Sequence, residues 1–280
     1  MNALELIKLT LQEDIKSGDI TSQLLIDQKS MTNAAIFAKA DGVFCGNSIV
    51  KAMHELVHEV SFSHLIPDGQ IVSAGDHCLH LSGPTKKIVE IERSLLNFLQ
   101  RLSGVATVTH QFVNALNDAS IDILDTRKTT PLLRDLEKEA VLAGGGTNHR
   151  FGLYDMVLVK ENHMHQYVHD YGMSAFNLKL NDQKKTFPAI QIEVEVTTLD
   201  ILKQLDLAAI DIVMFDNMSL NELAPCIQHL NQHGPHVLKE VSGNISLETI
   251  SKYQGIDINR ISIGSLTHSV NALDLSLLVL

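Results

Sequence analysis

The chain has 280 residues, of which 45% are hydrophobic and 20% charged, so it can bury one large core or two smaller ones. Its formal net charge of -11 disfavours nucleic acid and anionic membrane surfaces as partners. Three scattered cysteines, an N-terminus without a signal peptide's apolar core and the lack of a membrane-spanning apolar run predict a reduced, cytoplasmic protein.

The first part of the chain mixes helical and strand patterns without regular alternation. The predicted elements are helices over 4–12, 48–58 and 85–102, a hairpin over 34–45, and short strands within 60–81. Asp41 and Gly42 form the expected turn of that hairpin. We therefore predict an α+β domain over residues 1–104, which ends at Ser103 and Gly104.

Beyond Gly104 the pattern changes to a regular alternation of strands and helices. Apolar strands end at Asp125, Lys160, Glu195, Asp216, Ser242 and Gly264, with a seventh strand possible around 147–150. Helical patterns lie between them at 130–143, 164–178, 199–207, 219–232 and 246–253. Such repeats indicate a parallel sheet covered by helices, so we predict an open, incomplete α/β barrel over 105–268. The apolar segment 269–280 is expected to dock on the first domain or on a neighbouring subunit.

Basic residues follow two of these strands and a run of three glycines. Arg127 and Lys128 come directly after the first strand, and His149 and Arg150 follow G-G-G-T-N. A guanidinium binds carboxylate or phosphate with two parallel hydrogen bonds, and glycines let backbone N–H groups approach an anion. In a protein of negative net charge, this cluster predicts a small ligand with several negative charges.

Three further strand ends carry groups suited to chemistry, because an α/β barrel builds its active site at this face. Lys160 ends one strand, and Asp216 ends another. Glu193 and Glu195 point to the same side of their strand. One of the two could be a rim salt bridge, and Glu195, which lies nearer the carboxyl end, is the better candidate for the site. Glu195 and Asp216 are candidates for binding a metal, directly or through water, or ribose hydroxyls.

Two pairs of histidines have the helical spacing of a zinc site. They are His165 with His169 and His229 with His233. Neither pair carries the glutamate of H-E-x-x-H or a nearby cysteine. We interpret both pairs as solvated helix faces.

Seven segments occur in the order found in the quinolinate phosphoribosyltransferase family, which this chain resembles. They are T-R-K-T-T-P, G-G-G-T-N-H-R-F-G-L-Y-D, V-K-E-N-H, I-E-V-E-V, D-N-M, S-G-N-I and S-I-G-S-L-T-H. The segments E-D-I-K-S-G-D-I-T and E-R-S-L-L-N-F-L-Q-R-L-S-G-V-A-T match as well, so the resemblance covers nearly the whole chain. It implies an α+β sandwich domain followed by an open α/β barrel.

The resemblance also implies an activity. It is the transfer of the phosphoribosyl group from 5-phosphoribosyl 1-diphosphate to quinolinate with decarboxylation, which gives nicotinate mononucleotide, diphosphate and CO₂ for NAD synthesis. By motif position, Arg127, His149 and Arg150 bind the quinolinate carboxylates, with Lys128 and Lys160 close by. The acidic pair near the ribose hydroxyls and Mg²⁺ is Glu195 and Asp216. The implied catalytic residues are Lys128, Lys160, Glu195 and Asp216.

Other positions follow from the same resemblance. The loops around the 5-phosphate contain Ser242, Gly243, Gly264 and His268. Arg93 corresponds to an arginine that the neighbouring subunit contributes, which implies a homodimer with shared active sites. Two departures are visible: Leu132 stands where the family usually has glycine, and Glu161 replaces a common aspartate.

Three alternatives remain at the level of the sequence. One is the paralogue associated with molybdenum transport, which shares this fold. Another is a Schiff-base aldolase that uses Lys160 as its nucleophile on a barrel strand. The third is a non-catalytic protein that binds a phosphorylated metabolite.

Overall fold

A computed structural model describes residues 2–280, which form two compact units. The first contains residues up to Gln111 together with Lys128–Gly146 and Ser265–Leu280. The second contains Phe112–Arg127 and Thr147–Gly264. The predicted division at residue 104 lies inside a helix, and the two-domain division of the sequence stays a prediction. None of the helices in the described part of the chain is long and apolar enough to cross a membrane.

The regular elements are numbered here in chain order. The helices are α1 Ala3–Ile15, α2 Ile20–Leu25, α3 Asn47–Leu56, α4 Thr85–Leu116, α5 Arg134–Ala143, α6 Glu161–Tyr171, α7 Met173–Thr186, α8 Leu199–Leu202, α9 Leu220–His233 and α10 Ser265–His268. The strands are β1 Met31–Ala38, β2 Gly42–Val43, β3 Ser61–Ser63, β4 Ile71–Val72, β5 His77–Pro84, β6 Asp122–Leu124, β7 Val157–Val159, β8 Ile192–Val196, β9 Ile212–Asp216, β10 Leu238–Ser242, β11 Arg260–Ser262 and β12 Leu275–Val279.

The first unit is organised around an antiparallel sheet with the strand order β12-β1-β5-β3. β1 is paired on both edges. On one side it pairs with β12, with Ala34 opposite Val279 and Ala38 opposite Leu275, and on the other side it pairs with β5. In β12 the buried residues Leu275 and Leu277 alternate with Ser276, as expected for an edge strand with one face on a core, whereas Ala34, Ala35 and Ile36 of the central strand β1 are all buried. The apolar C-terminal segment thus forms an edge strand beside β1.

The predicted hairpin over 34–45 is wrong. β1 pairs with β12 and β5, whereas β2 pairs with β4. The Asp41 carboxylate accepts the N–H of Ala74 at 3.0 Å, which fixes the turn against the segment after β4. A turn signal identifies a change of chain direction, but it does not identify the strands that become neighbours.

Helix α4 continues to Leu116, well beyond the predicted end near Leu102. Gly104 lies within it, where a Cβ would overlap the carbonyl oxygen of Asn271 and lie 3.1 Å from the Cα of Ala272. The glycine therefore permits a close approach of the C-terminal segment. It does not break the helix.

The second unit contains a six-stranded parallel sheet with the order β6-β11-β10-β9-β8-β7. All six predicted strands are confirmed, and the open α/β barrel is confirmed as the fold class. The register aligns Asp216 with Ser242, Ser242 with Ser262, and Ser262 with Leu124. The carboxyl ends of these strands therefore lie at one level. The possible seventh strand is reduced to a single bridge between Leu124 and Thr147.

Two predicted helices differ from the structure at positions of left-handed backbone. The predicted helix over 164–178 is divided into α6 and α7 at Gly172, whose φ is 83°. The helix expected from Pro131 begins only at Arg134, because Leu132 has a φ of 68°. The predicted helix over 246–253 is only a 3₁₀ turn, Ile250–Tyr253.

We predict that Leu132→Gly stabilises the protein. A left-handed conformation costs a residue with a side chain about 1–2 kcal/mol. Glycine removes this cost, but it lowers the stability by up to about 1 kcal/mol because it increases the entropy of the unfolded chain. Leu132 is 64% exposed, so little packing is lost. The expected net gain is about 0.5–1 kcal/mol in the free energy of unfolding, measured by denaturant titration.

Leu142→Gly is the matched control. Leu142 is 53% exposed and lies in α5, where glycine is expected to destabilise by up to about 1 kcal/mol. If both substitutions destabilise equally, Leu132 carries no strain that glycine relieves.

Candidate active site

The loop after the glycine run is fixed to the end of β6. The fully buried Asp125 accepts the backbone N–H of His149 at 3.0 Å, and its own N–H donates to the carbonyl of Thr147 at 3.3 Å. Thr147 in turn donates to Ile123 at 2.7 Å. These hydrogen bonds place His149 and Arg150 beside the strand end that carries Arg127.

His149 lies against two carboxylates inside the second unit. Its Nε2 is 3.3 Å from Glu193 Oε2 and 3.4 Å from Glu240 Oε1, and both glutamates are 0% exposed. Arg260 Nη1 is 3.9 Å from the second oxygen of Glu240. Glu193 is therefore not the rim salt bridge, because it is fully buried against the imidazole, whereas Glu195 forms an ion pair with Lys160 at the strand ends. Charged residues within two otherwise apolar strands, I-E-V-E-V and L-K-E-V-S, were the sequence signal of this cluster.

The two carboxylates control the charge of His149. Burial alone would lower the pKa of His149, but Glu193 and Glu240 raise it from 6.5 to about 9. The backbone N–H of Arg150 donates to Nδ1 at 2.8 Å and favours a neutral ring. Since two carboxylates at 3.3 and 3.4 Å outweigh one amide dipole, we expect the imidazolium at neutral pH. Burial raises the pKa of Glu193, and the positive charge of His149 opposes that shift.

Arg150 and Arg127 lie close enough to repel each other. Burial and then the charge of Arg127 lower the pKa of the Arg150 guanidinium. The side chain is held by a hydrogen bond from Nη1 to the carbonyl of Met156 at 3.1 Å. A guanidinium binds a carboxylate with two parallel hydrogen bonds, so Arg127 and Arg150 suit an anionic ligand.

Lys160 and Glu195 form an ion pair between the ends of β7 and β8. The distance from Lys160 Nζ to Glu195 Oε2 is 2.9 Å, and the lysine side chain is 50% exposed while the glutamate side chain is 10% exposed. An ion pair this exposed contributes at most about 1 kcal/mol to stability. Its effect is therefore mainly to orient the ammonium group at the strand ends.

The loops after β9 and β10 interlock through Asn217 and Gly243. Asn217 donates its backbone N–H to Ser242 O at 2.9 Å and its side-chain amide to Asp216 Oδ2 at 2.8 Å. Gly243 has a φ of 99°, and a Cβ there would overlap the Asn217 side chain. Glycine is thus required at this position both by conformation and by space.

Glu195 and Asp216 suit a magnesium ion by their chemistry and position. They end neighbouring parallel strands, with Glu195 paired to Met214, two residues before Asp216. Magnesium prefers one or two carboxylates together with water and substrate phosphates. His149, Glu193 and Glu240 also offer ligand atoms within 4.8 Å of one another. Their burial and the imidazolium charge suit magnesium less well.

In the first unit, a buried carboxylate fixes the segment that follows Arg127. Glu137, 0% exposed, accepts from Arg101 Nη2 at 2.8 Å and from the N–H and hydroxyl of Thr130 at 3.0 and 2.8 Å. The hydroxyl of Thr267 donates to the carbonyl of Lys128 at 2.8 Å. Arg101 and Glu137 were not identified in the sequence, because neither stands at a strand end.

Two other predicted residues are exposed on the first unit. The Arg93 side chain on α4 is 60% exposed, with Nη2 4.0 Å from Glu92 Oε1. His268 is exposed, and its Nδ1 lies 2.7 Å from the Ser269 hydroxyl. The second unit contains Arg127, His149, Arg150, Lys160, Glu195, Asp216, Ser242, Gly243 and Gly264. The first unit contains Arg93, Lys128 and His268.

Two family models cover most of the chain. Residues 19–103 match the N-terminal domain of quinolinate phosphoribosyl transferase, and residues 105–278 match its C-terminal domain. The chain belongs to the quinolinate phosphoribosyltransferase family. A relative from Bacillus subtilis, the probable nicotinate-nucleotide pyrophosphorylase [carboxylating], is 42% identical over 99% of this chain and 94% of its own.

Solved structures agree with that membership. NadC from Streptococcus pyogenes is 37% identical, has a TM-score of 0.88 and is matched over 99% of this chain and 96% of its own. The nicotinate-nucleotide pyrophosphorylase of Francisella tularensis is 36% identical with a TM-score of 0.89, over 99% and 96% of the two chains. The family and fold inferred from the sequence motifs are confirmed.

We predict that removing the two buried charges changes the titration of His149. In the double variant Glu193→Gln/Glu240→Gln burial persists while the attraction is lost, so the pKa of His149 should fall from about 9 to below 6.5. NMR titration of the His149 ring protons measures this value, with His149→Gln used to assign the resonance. The control is Glu222→Gln, at an exposed position in the first turn of α9. An unchanged titration in the double variant would contradict the proposed pairing.

The same shift sets the sign of the pH dependence of stability. Because the pKa is raised in the folded state, the contribution of His149 is complete below pH 6.5 and is lost as pH rises to about 9. The wild type should lose more stability across this window than the double variant does.

Proposed function

We propose that this chain transfers the phosphoribosyl group of 5-phosphoribosyl 1-diphosphate to quinolinate and releases diphosphate and CO₂. The product is nicotinate mononucleotide, a precursor of NAD. The observation that carries the proposal is the group of Arg127, His149 and Arg150 beside the end of β6, in a chain that belongs to this family. We also propose a cytoplasmic location, since the three cysteines are free and buried, which suits a reducing compartment.

The cations match the two adjacent carboxylates of quinolinate. Arg127 and Arg150 can each bind a carboxylate with two hydrogen bonds, and the carboxylate relieves their mutual repulsion. His149 has the same assignment by motif position, and since its Nε2 faces Glu193 and Glu240 at 3.3 and 3.4 Å while its Nδ1 accepts the Arg150 N–H, it positions Arg150 beside the ligand. Binding of the dianion thus orients the pyridine nitrogen for attack.

The reaction then needs charge stabilisation more than acid–base chemistry. The pyridine nitrogen forms a bond to the ribosyl C1, and the bond from C1 to the diphosphate oxygen breaks. The carbon develops oxocarbenium character as diphosphate leaves, so cations close to the leaving group lower the barrier. Lys160, oriented by Glu195 at 2.9 Å, is the side chain proposed for this role. Lys128 has the same assignment by motif position alone.

Decarboxylation follows from the charge of the alkylated nitrogen. The C2–carboxylate bond breaks, its electron pair is stabilised by the pyridinium, and a proton replaces CO₂ at C2. Arg127, Arg150 and His149 keep the ring in position during this step. No nucleophilic side chain is required.

Magnesium is the cofactor that we propose, held by Glu195 and Asp216. When bound, it would neutralise charge on the diphosphate leaving group. We propose that the same two carboxylates also accept hydrogen bonds from the ribose hydroxyls. The loops with Ser242, Gly243 and Gly264 offer backbone donors for the 5-phosphate, and His268 has the same assignment by motif position.

The Lys160 aldolase alternative fits the site less well. A Schiff-base nucleophile must be a neutral amine, whereas Lys160 is placed against a carboxylate at 2.9 Å. An aldolase also leaves the surplus of anion-binding groups without a function. Borohydride trapping with a carbonyl substrate separates the two chemistries, because only the aldolase gives a covalent adduct.

We predict that the protein uses quinolinate and not nicotinate. Nicotinate lacks the second carboxylate, and each lost charge-assisted contact costs about 1–3 kcal/mol, or roughly 5- to 150-fold in kcat/KM. Formation of nicotinate mononucleotide from each acid, with the diphosphate donor and Mg²⁺, is the measurement. EDTA should abolish turnover. Comparable turnover of the two acids would refute the assigned substrate.

We further propose a homodimer in which Arg93 completes the partner's site. Arg93 is exposed on α4, and two-fold symmetry would place one such arginine at each site. Arg93→Ala and Lys160→Ala are each predicted to be inactive but folded. Mixed subunits should regain activity, because one site in each heterodimer is intact while the other has both defects.

The mixing experiment needs proof of exchange. Differently tagged subunits recovered together establish that heterodimers form, and activity should then approach about half of the wild-type value per heterodimer. Lys160→Ala mixed with Lys160→Ala is the negative control. Exchange without recovered activity would show that Arg93 does not act across subunits.

A further inference from the structure

Three histidines meet on the exposed side of the antiparallel sheet in the first unit. His77 and His80 lie on β5, and His64 follows β3 directly. Nδ1 of His77 is 2.8 Å from Nε2 of His80. The ring centroids are 4.8 Å apart for His64 and His80, 5.1 Å for His77 and His80, and 6.5 Å for His64 and His77.

A β-bulge brings His77 and His80 to one face. Residues three apart on a regular strand point to opposite faces. Here Leu79 pairs with Ile36 but His77 pairs with Phe37, so Cys78 is the extra residue on β5. Cys78 and Leu79 are both buried, which leaves the two histidines on the outer side.

His64 reaches the same place through a strained backbone. Ser63 pairs with His80, and the next residue, His64, has a φ of 46°. A left-handed conformation is uncommon for residues other than glycine and often marks a functional position. It turns the chain so that the His64 ring lies over that of His80 instead of continuing along the strand.

Two of the three ring separations suit a shared metal ion, and the third, 6.5 Å between His64 and His77, requires a side-chain rotation. With Zn–N bonds of 2.0–2.1 Å, two imidazoles at a tetrahedral zinc have ring centroids about 5 Å apart. Two of the three separations, 4.8 and 5.1 Å, have this value, and a rotation of His64 or His77 would shorten the third.

We propose that His64, His77 and His80 bind a divalent late transition-metal ion of the zinc, nickel or copper class. Imidazole nitrogen is a preferred ligand of these ions and a poor ligand for magnesium. Three protein ligands leave at least one position to water or a further ligand. The ion links the end of β3 to β5, so it stabilises the sheet of the first unit. This site does not depend on the proposed catalytic activity.

The test uses the full chain in excess Mg²⁺, which occupies carboxylate sites. Calorimetric titration with Zn²⁺ is expected to show one site, and Co²⁺ is expected to give the visible absorption of a nitrogen-ligated ion. The variants His77→Gln and His80→Gln should each weaken Zn²⁺ binding at least roughly tenfold, since each loses one of three ligands. Zn²⁺ should also raise the Tm of the wild type but not that of the double variant His77→Gln/His80→Gln.

The control is His229→Gln/His233→Gln, which removes another pair of neighbouring imidazoles, 4.5 Å apart, and should bind as the wild type does. Sub-stoichiometric Cu²⁺ added to the wild type should broaden the resonances of His64, His77 and His80 first, which tests the site without any variant. Three results would overturn the proposal. The wild type does not bind Zn²⁺, or the variant His77→Gln/His80→Gln binds it as the wild type does, or binding is lost in His149→Gln instead.

Discussion

The second unit depends on how charge is balanced beneath its strand ends. Glu193 and Glu240 are fully buried, and an isolated carboxylate in such a place would cost several kcal/mol. His149 between them and Arg260 at 3.9 Å provide the opposite charges. The segment that carries His149 must therefore lie against β8 and β10. Asp125 fixes it there by accepting the backbone N–H of His149 at 3.0 Å.

The cations at the strand ends differ in their surroundings. His149 faces two carboxylates of the protein, whereas burial and then the charge of Arg127 lower the pKa of Arg150. We propose that a dianionic ligand offsets the repulsion between Arg127 and Arg150 and therefore binds more tightly than it would to a solvated arginine. Lys160 differs again, since Glu195 orients it near the surface.

The sequence predicts the second unit well because a parallel sheet has strong local signals. Its buried strands are mostly apolar, and most of them end in a polar residue at one edge, so Lys160, Glu195 and Asp216 could be assigned to one face. Long-range pairing has no such signal. The turn at Asp41 could not reveal that β1 would pair with β12, and strand alternation gave the direction of Glu193 without revealing His149 as its partner. Arg101 and Glu137 were missed because their meeting depends on the packing of two helices.

The hydrogen bonds of Glu137 in the first unit explain why the chain tolerates leucine at position 132, where the family usually has glycine. Leu132 sits in a left-handed conformation at about 1–2 kcal/mol. Two residues earlier, Thr130 donates its N–H and hydroxyl to Glu137, which also binds Arg101. Hydrogen bonds to a charged group contribute about 1.5–3 kcal/mol each, so together they exceed the strain. The segment from Lys128 to Thr130 is thus held by Glu137, and the exposed Leu132 side chain does not determine its position.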